Sequence, residues 1–277
     1  MGPARSTTPF LRWAGSKRWL VPHIQGIIPT AFGTYHEPFL GSGAVFFGAS
    51  DDAADAVLND KIPGLINTFR SVRDAPGEVH DLLRRWPVHS ESYYRIRASE
   101  PPPRSLEEAA RFIYLNRFGF NGLYRENASG QFNVPFGRPK NDSVIPLSVL
   151  ESASVALQRA ELISGDFYSA LERVRKNDFV FLDPPYAAPR RRKGFTDYNA
   201  TLFDWEDQRR LADRFKALSR EGVHVVLVNA ESTETRDLFK GFNITSVSRF
   251  SSISGKTLSR QVTHEIIVRS ESLDRGI

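Results

Sequence analysis

The stretch Asn177-Asp178-Phe179-Val180-Phe181-Leu182-Asp183-Pro184-Pro185-Tyr186 decides the fold. Phe179 to Leu182 is an unbroken apolar run, the pattern of a strand buried on both faces of a parallel sheet, and it stops abruptly at a carboxylate. Asp183 is therefore expected at the carboxyl edge of the sheet, where open α/β sheets take their ligands. Pro184 and Pro185 remove two backbone N–H donors and fix φ, which leaves the Asp183 carboxylate and the Pro184 carbonyl as acceptors in a stiff loop beside the Tyr186 ring. Two acceptors and an aromatic face suit an amino group on a flat ring such as adenine or cytosine. The lone pair of that nitrogen is delocalised into the ring; donating both N–H bonds pushes the nitrogen towards tetrahedral geometry and frees the pair to attack. The plain structural alternative is a strand that ends in an Asp-Pro-Pro turn.

Outward from this stretch, apolar runs that end in an acid recur. Ala160-Glu161-Leu162-Ile163-Ser164-Gly165-Asp166-Phe167 is one, with Asp166 and Phe167 placed to hydrogen-bond and stack on a cofactor ring, or Asp166 to cap the next helix. Ala56-Val57-Leu58-Asn59-Asp60 is another. It follows Thr34-Tyr35-His36-Glu37-Pro38-Phe39-Leu40-Gly41-Ser42-Gly43-Ala44, a short strand that enters a Gly-x-Gly turn and leaves as an apolar helix. Asp60 stands 19 positions after Gly41, close to the spacing of roughly 20 at which such folds set a carboxylate on a ribose hydroxyl. The turn lacks the third glycine of a dinucleotide site and the Gly-Lys-Ser/Thr of a phosphate loop. Ribose without phosphate points to S-adenosylmethionine, while Asp60 as a helix cap is compatible with the same role. Before this comes Phe10-Leu11-Arg12-Trp13-Ala14-Gly15-Ser16-Lys17-Arg18, a turn expected to open a helix over the apolar stretch Trp19 to Ile28, with Lys17 and Trp13 facing an anionic, aromatic ligand and Pro29 as the stop.

Between the second and third strands the rhythm changes. Ile62 to Arg85 and Leu106 to Leu115 read as helical, joined through the rigid connector Pro101-Pro102-Pro103. The segment ends in Tyr114-Leu115-Asn116-Arg117-Phe118-Gly119-Phe120-Asn121-Gly122-Leu123-Tyr124-Arg125, a turn at Ala128-Ser129-Gly130, and Gln131-Phe132-Asn133-Val134-Pro135-Phe136-Gly137-Arg138. Arginine, asparagine and aromatic residues interleaved around a hairpin suit phosphates, base edges and a stacking wedge; an aromatic mini-core with solvated arginines is the bland alternative. After Tyr186 the tract Arg190-Arg191-Arg192-Lys193 forms a basic loop beside the proposed site, either solvated or touching phosphate. Trp205 to Ser219 reads as an amphipathic helix, His224 to Asn229 as a buried strand, and Asn243 to Phe250 with Thr263 to Arg269 as a closing antiparallel pair.

Composition narrows the class. At 277 residues the chain fits one large domain or a core with an insertion, and a net charge of +5 favours a polyanionic partner. The absence of cysteine excludes disulfides, Fe–S clusters and thiolate zinc. No run approaches the roughly 18 apolar residues of a membrane span, and no His/Asp/Glu spacing demands a metal, so a cytoplasmic, metal-free protein is expected.

With these residues laid out, the chain resembles the DNA adenine methylase (Dam) family, N6-adenine methyltransferases of the Asp-Pro-Pro-Tyr class. The resemblance runs from about Phe10 to Val268 and rests on Arg-Trp-Ala-Gly-Ser-Lys, Glu-Pro-Phe-Leu-Gly-Ser-Gly, Leu-Asn-Arg-Phe-Gly-Phe-Asn-Gly-Leu, Phe-Asn-Val-Pro-Phe-Gly-Arg and Asp-Pro-Pro-Tyr in the family's order. It implies a Rossmann-like α/β sheet of seven strands, the last antiparallel, with a catalytic domain at 9–60 and 158–270 and a helical target-recognition domain at 61–157. It implies S-adenosylmethionine held by Trp13, Lys17, Asp60 and Asp183, with Phe39, Gly41, Gly43, Asp166 and Phe167 around it, and S-adenosylhomocysteine as product. Asp183, Pro184, Pro185 and Tyr186 would hold an adenine flipped out of double-stranded DNA, with direct transfer and no metal. Members that read GATC use residues matching Arg12, Asn121, Leu123, Arg125, Pro135 and Arg138, with an aromatic wedge at Phe120. Phe120 stands where tyrosine is usual, Arg12 replaces a lysine, and Ser16 replaces a glycine. The family default is a monomer, either an orphan methylase or the modification half of a restriction pair. A DNA-binding protein that has lost catalysis, and methylation of cytosine N4 or of RNA bases, are the alternatives.

Overall fold

A computed structural model describes residues 7–49, 55–127, 129–187, 203–250 and 262–274. Its strands are β1 (Tyr35–Glu37), β2 (Ala56–Asp60), β3 (Ala160–Ser164), β4 (Phe179–Leu182), β5 (His224–Ala230), β6 (Asn243–Phe250) and β7 (Val262–Arg269), in one sheet of order β3-β2-β1-β4-β5-β7-β6. β4 runs parallel to both β1 and β5, pairing Phe179 with Tyr35 on one side and with His224 on the other. All four of its residues are buried, which is why the strand carries no polar side chain. β2 and β3 are parallel from Ala56↔Ala160 to Asp60↔Ser164, whereas β7 is antiparallel to β5 and to β6. This is the seven-stranded α/β sheet with an antiparallel last strand that the resemblance implies.

Internal contacts divide the chain into two compact units, residues 1–26 with 40–166 and residues 27–39 with 167–277. The first contains β2 and β3 and the helices α1 (Val21–Gln25), α2 (Ala44–Ala49), α3 (Pro63–Asp74), α4 (Pro76–Arg84), α5 (Ser90–Ala98), α6 (Leu106–Phe118) and α7 (Leu147–Leu157). α3 buries Leu65, Ile66, Phe69 and Val72 at helical spacing. Its Asn67 Nδ2 donates to the Ser105 carbonyl at 3.2 Å and to Glu108 Oε2 at 2.8 Å, beside the Ser105 hydroxyl that caps α6 by accepting the Glu108 N–H. On the other side, Arg70 donates to the Leu162 carbonyl and Arg73 to that of Ala160, which fastens α3 over β3.

Three readings of this unit shift in detail. The helical run from Ile62 breaks at Ala75, where φ is −145°, because Pro76 has no N–H to donate and starts α4 afresh. α5 is an additional helix. It buries only Ser92, Tyr93 and Ile96, too thin an apolar stripe to stand out among its serines and arginines. α1 ends at Gln25 with Gly26 as its cap, before Pro29 can act as the stop.

The second unit holds β1, β4, β5, β6 and β7 with α8 (Phe167–Leu171) and α9 (Trp205–Arg220). Asp204 caps α9 by accepting the N–H groups of Glu206 and Asp207, and Asp207 returns a bond to the Asp204 N–H. Leu211, Ala212, Phe215 and Leu218 of α9 form one core with Val180, Leu182, Val225 and Leu227 of the central strands. At the amino end of β4 the buried Asp178 accepts the N–H groups of Thr34 and Arg175 and lies 3.0 Å from His36 Nε2. Burial lowers the His36 pKa more than Asp178 raises it, so the ring is a neutral donor to the carboxylate.

Phe215 is fully buried and meets the rings of Phe239 and Phe242 edge-on at 5.3 and 5.0 Å. Phe215→Ala is expected to lower the unfolding free energy by about 3–5 kcal/mol, read from the urea midpoint.

Candidate active site

In the first unit a glycine turn, an acid and a tryptophan are built into one another. Gly41 and Gly43 both adopt left-handed backbone, with φ of +49° and +65°. A Cβ on Gly41 would stand 2.9 Å from Cδ1 and Nε1 of Trp13, so the indole lies directly against the loop and no other residue fits there. The Gly41 N–H donates to Asp60 Oδ2 at 3.0 Å and the Ile62 N–H to Asp60 Oδ1 at 3.1 Å. Burial pushes the Asp60 carboxyl up to about 6, although the N–H donors of Gly41, Ile62 and Lys61 pull it down. Three backbone donors leave the carboxylate one of its roughly four lone-pair sites, so the group can still accept a hydrogen bond from a ligand's hydroxyl.

The surroundings stiffen this turn. Ser16 Oγ lies 3.1 Å from Ser42 Oγ, which ties the Trp13–Ser16 turn to the glycine loop. Lys17 is only 4% exposed, and its Nζ donates to the Gly15 carbonyl at 3.0 Å. Asn59 Nδ2 donates to the Gly165 carbonyl and the Gly165 N–H to the Asp60 carbonyl, both at 3.2 Å, lacing together the ends of β2 and β3 just before the half-buried Asp166.

The expected base-reading residues also fall in the first unit, on one hairpin and the segment beside it. The hairpin makes two isolated antiparallel bridges, Gly119↔Phe136 and Glu126↔Phe132, in place of continuous strands. Positive φ at Asn121, Gly122 and Arg138 interrupts regular pairing. The Phe120 N–H donates to the Pro135 carbonyl at 2.9 Å, and Arg125 Nε donates to Asn133 Oδ1 at 2.6 Å, so Phe120, Pro135 and Arg125 are held on one frame. Phe120 is 46% exposed, and Arg12, Asn121, Arg125, Pro135 and Arg138 are exposed while Leu123 is half-buried. Arg12 joins the hairpin from far away in sequence. The buried Asn116 accepts the Arg12 N–H on Oδ1 at 2.9 Å and donates from Nδ2 to the Arg12 carbonyl at 2.6 Å, while Gly122 leaves room for the Arg12 Cβ.

The second unit supplies the acceptor stretch. Asp183 follows β4 directly and is half-buried, Pro184 is buried, and Pro185 and Tyr186 are half-buried. Phe39 and Phe167 stack at 5.2 Å and 29°, and Phe203 packs against both. The buried Phe167 ring therefore has protein neighbours on several sides, with the Arg210 guanidinium 5.2 Å above it. Beside this stretch Asn229, at the end of β5, donates to Gln208 of α9 at 2.9 Å, a fully buried amide pair in an otherwise apolar layer. Arg190, Arg191 and Arg192 lie outside the described residues.

Asn116, Tyr124 and Gln208 were not singled out by the sequence reading. A polar residue on the buried stripe of a helix is the signal available for Asn116 and Gln208. Tyr124 had none, because its partners are distant in sequence. Among the described residues no group of three His, Cys, Asp or Glu side chains can hold a metal ion, and no helix is long and apolar enough to cross a membrane.

Comparison with known proteins agrees with this geometry. The family model of D12 class N6 adenine-specific DNA methyltransferases matches residues 13–253. A type II methyltransferase of Lactococcus lactis subsp. cremoris is 40% identical over 269 residues, covering 94% of this chain and 94% of that protein. The DNA adenine methylase of Vibrio cholerae serotype O1 is 34% identical over 264 residues, covering 93% and 94%. That of Haemophilus influenzae is 33% identical over 275 residues, covering 96% and 94%. With the match spanning the glycine turn, the hairpin and the Asp-Pro-Pro-Tyr stretch alike, the chain belongs to the D12 class of N6 adenine-specific DNA methyltransferases.

Proposed function

We propose that this adenine methyltransferase uses S-adenosylmethionine, acts within GATC, and takes its adenine out of the duplex. Residues 61–157 serve as the target-recognition insert of a catalytic domain formed by 9–60 and 158–270. The chemistry rests on one observation above the others: Asp183 emerges from an apolar strand buried between two parallel neighbours, with Pro184 buried immediately after it. Such a carboxylate is held by the sheet itself and needs no reorganisation when the substrate arrives.

S-adenosylmethionine supplies an electrophilic methyl group on a sulfonium sulfur. The chain's residues do the rest. The Asp60 carboxylate, fixed by the Gly41 and Ile62 N–H groups, accepts from a ribose hydroxyl, and the left-handed turn at Gly41 and Gly43 lets backbone approach the ligand without a Cβ in the way. Trp13, Lys17 and Asp166 of the first unit, and Phe39 and Phe167 of the second, are assigned to the cofactor as well. Trp13 acts through its contact with the turn, and Lys17 through its bond to the Gly15 carbonyl. Asp183 and the Pro184 carbonyl accept the two N–H bonds of the adenine amino group, which turns its lone pair out of conjugation, while Tyr186 and the stiff Pro185 hold the ring plane. A stacked base cannot present that nitrogen, so flipping is required.

Preference for GATC is supported by the side chains on the hairpin. Exposed arginines at 12, 125 and 138 have the fork that matches guanine O6 and N7, Leu123 and Pro135 have apolar surface for a thymine methyl, and Phe120 is a wedge.

Asp183→Ala is expected to abolish methyl transfer while leaving most of the affinity for duplex DNA, which phosphate contacts dominate. Wild-type turnover with no methyladenine in the product, or unchanged turnover in the variant, sinks the assignment. Arg125→Ala should relax the preference for GATC over scrambled duplexes by about 1–3 kcal/mol; equal loss on both sequences counts against base reading. Because the ionised Asp60 is the form that accepts hydroxyls, and its carboxyl titrates near 6, cofactor affinity should fall about tenfold per unit as pH drops well below 6. Calorimetric titration of Asp60→Asn should show weaker binding without that pH dependence.

A further inference from the structure

Tyr124 occupies a position that neither base reading nor cofactor binding by itself explains. It lies between Leu123 and Arg125 on the hairpin, yet its ring stacks on Trp13 at 5.8 Å and 22°, and Phe112 of α6 stacks on it from elsewhere at 5.4 Å and 25°. Trp13 and Phe112 are themselves near-parallel, at 6.4 Å and 15°. Trp13 in turn lies against Gly41 so closely that a single Cβ there would strike the indole, and Gly41 is the residue whose N–H is held by Asp60. A short chain of contacts within one compact unit thus runs from Asp60 through Gly41, Trp13 and Tyr124 to Leu123 and Arg125. The residue before Trp13 is Arg12, whose backbone is pinned to Asn116 on both its N–H and its carbonyl. The Trp13 backbone therefore cannot shift without moving Arg12 or straining that clamp.

The hairpin it supports is held to the rest of the unit partly through side chains. Among the described residues it has two isolated bridges and a few separate backbone bonds, such as Phe120 N–H to the Pro135 carbonyl and Asn133 N–H to the Arg125 carbonyl, which join its arms to each other, so its placement on the rest of the unit draws on side-chain packing. The Tyr124 ring is one of those packing contacts, and the hydroxyl of Tyr124 donates to Glu126 two residues further on, which fixes the ring relative to the hairpin backbone.

We infer that Tyr124 is a specificity-positioning residue whose stack on Trp13 couples occupation of the glycine turn to base reading by the hairpin, so that the methyl donor and the correct duplex strengthen one another's binding. The coupling rests on the functional reading above, in which the glycine turn takes S-adenosylmethionine and the hairpin reads bases. A ligand that settles the turn holds Trp13 and thereby Tyr124 in the geometry that presents Leu123 and Arg125. The free protein must otherwise order them when the duplex binds, and by linkage the same factor acts in the other direction.

The test is a binding cycle on the full chain. S-adenosylmethionine affinity is measured by calorimetry alone, with saturating GATC duplex, and with a scrambled duplex, in wild type, Tyr124→Phe and Tyr124→Leu. In wild type the GATC duplex should tighten the cofactor by roughly 5- to 50-fold and the scrambled duplex by much less. Tyr124→Phe keeps the ring and should keep the factor. Tyr124→Leu should bring it to within about twofold of one while the cofactor still binds, and should lower kcat/KM on GATC far more than on near-cognate sites. Equal coupling in Tyr124→Leu and wild type, or no coupling in wild type with both ligands binding, overturns the inference and leaves the functional reading standing. Failure of the wild type to bind the cofactor at all overturns both. Should Tyr124→Leu not fold, Phe112→Leu removes the ring that backs Tyr124; an undiminished factor in that variant overturns the inference equally.

Discussion

A single carboxylate accepting backbone N–H groups organises the first unit. Asp60 ends a strand, and by binding Gly41 on one oxygen and Ile62 on the other it fixes both the turn after β1 and the start of the chain towards α3. Backbone donors would ordinarily favour an ionised acid, yet burial outweighs them and leaves its carboxyl at about 6. The group is held in place without being saturated, since a lone-pair site remains beyond the three backbone donors. Trp13, Ser16 and Ser42 depend on the turn that this carboxylate shapes. The Ser16 hydroxyl adds a bond to Ser42 that ties the Trp13–Ser16 turn to the glycine loop.

The second unit solves a different problem with a different device. Its acceptor stretch follows a strand with no polar side chain, so the carboxylate of Asp183 is carried by sheet geometry, and the two prolines keep the loop from folding back to use its own N–H groups. At the far end of the same strand Asp178 gathers three donors, including the neutral His36, and fixes where β4 begins. One strand of four residues is thus pinned at its start by a side chain and at its finish by proline.

Much of this was legible in the sequence for one physical reason: it is local. β4 and β6 begin and end where the apolar and alternating patterns place them, β2 ends on its acid, and the Gly-x-Gly turn has the left-handed backbone that glycine there implies. Less legible were features set by partners far along the chain. The packing of Phe167 among Phe39, Phe203 and Arg210 is one of them. The Asn116 clamp on Arg12 spans more than a hundred positions, and no periodicity encodes it. α5 escaped notice because packing, and not an apolar stripe, makes it a helix.

The division of the chain has a consequence for synthesis. β1 belongs with 167–277 although residues 40–166 intervene, and its partner Phe179 leaves the ribosome more than a hundred residues after Tyr35. At translation rates of roughly 5–20 residues per second, the nascent Tyr35-His36-Glu37 segment waits on the order of ten seconds for its neighbour. Two of those three side chains are a tyrosine and a glutamate that bond to each other, Tyr35 OH to Glu37 Oε2 at 2.8 Å. A short strand able to engage its own polar groups, and too brief to recruit another edge, is well suited to an interval in which its β4-facing side stays open.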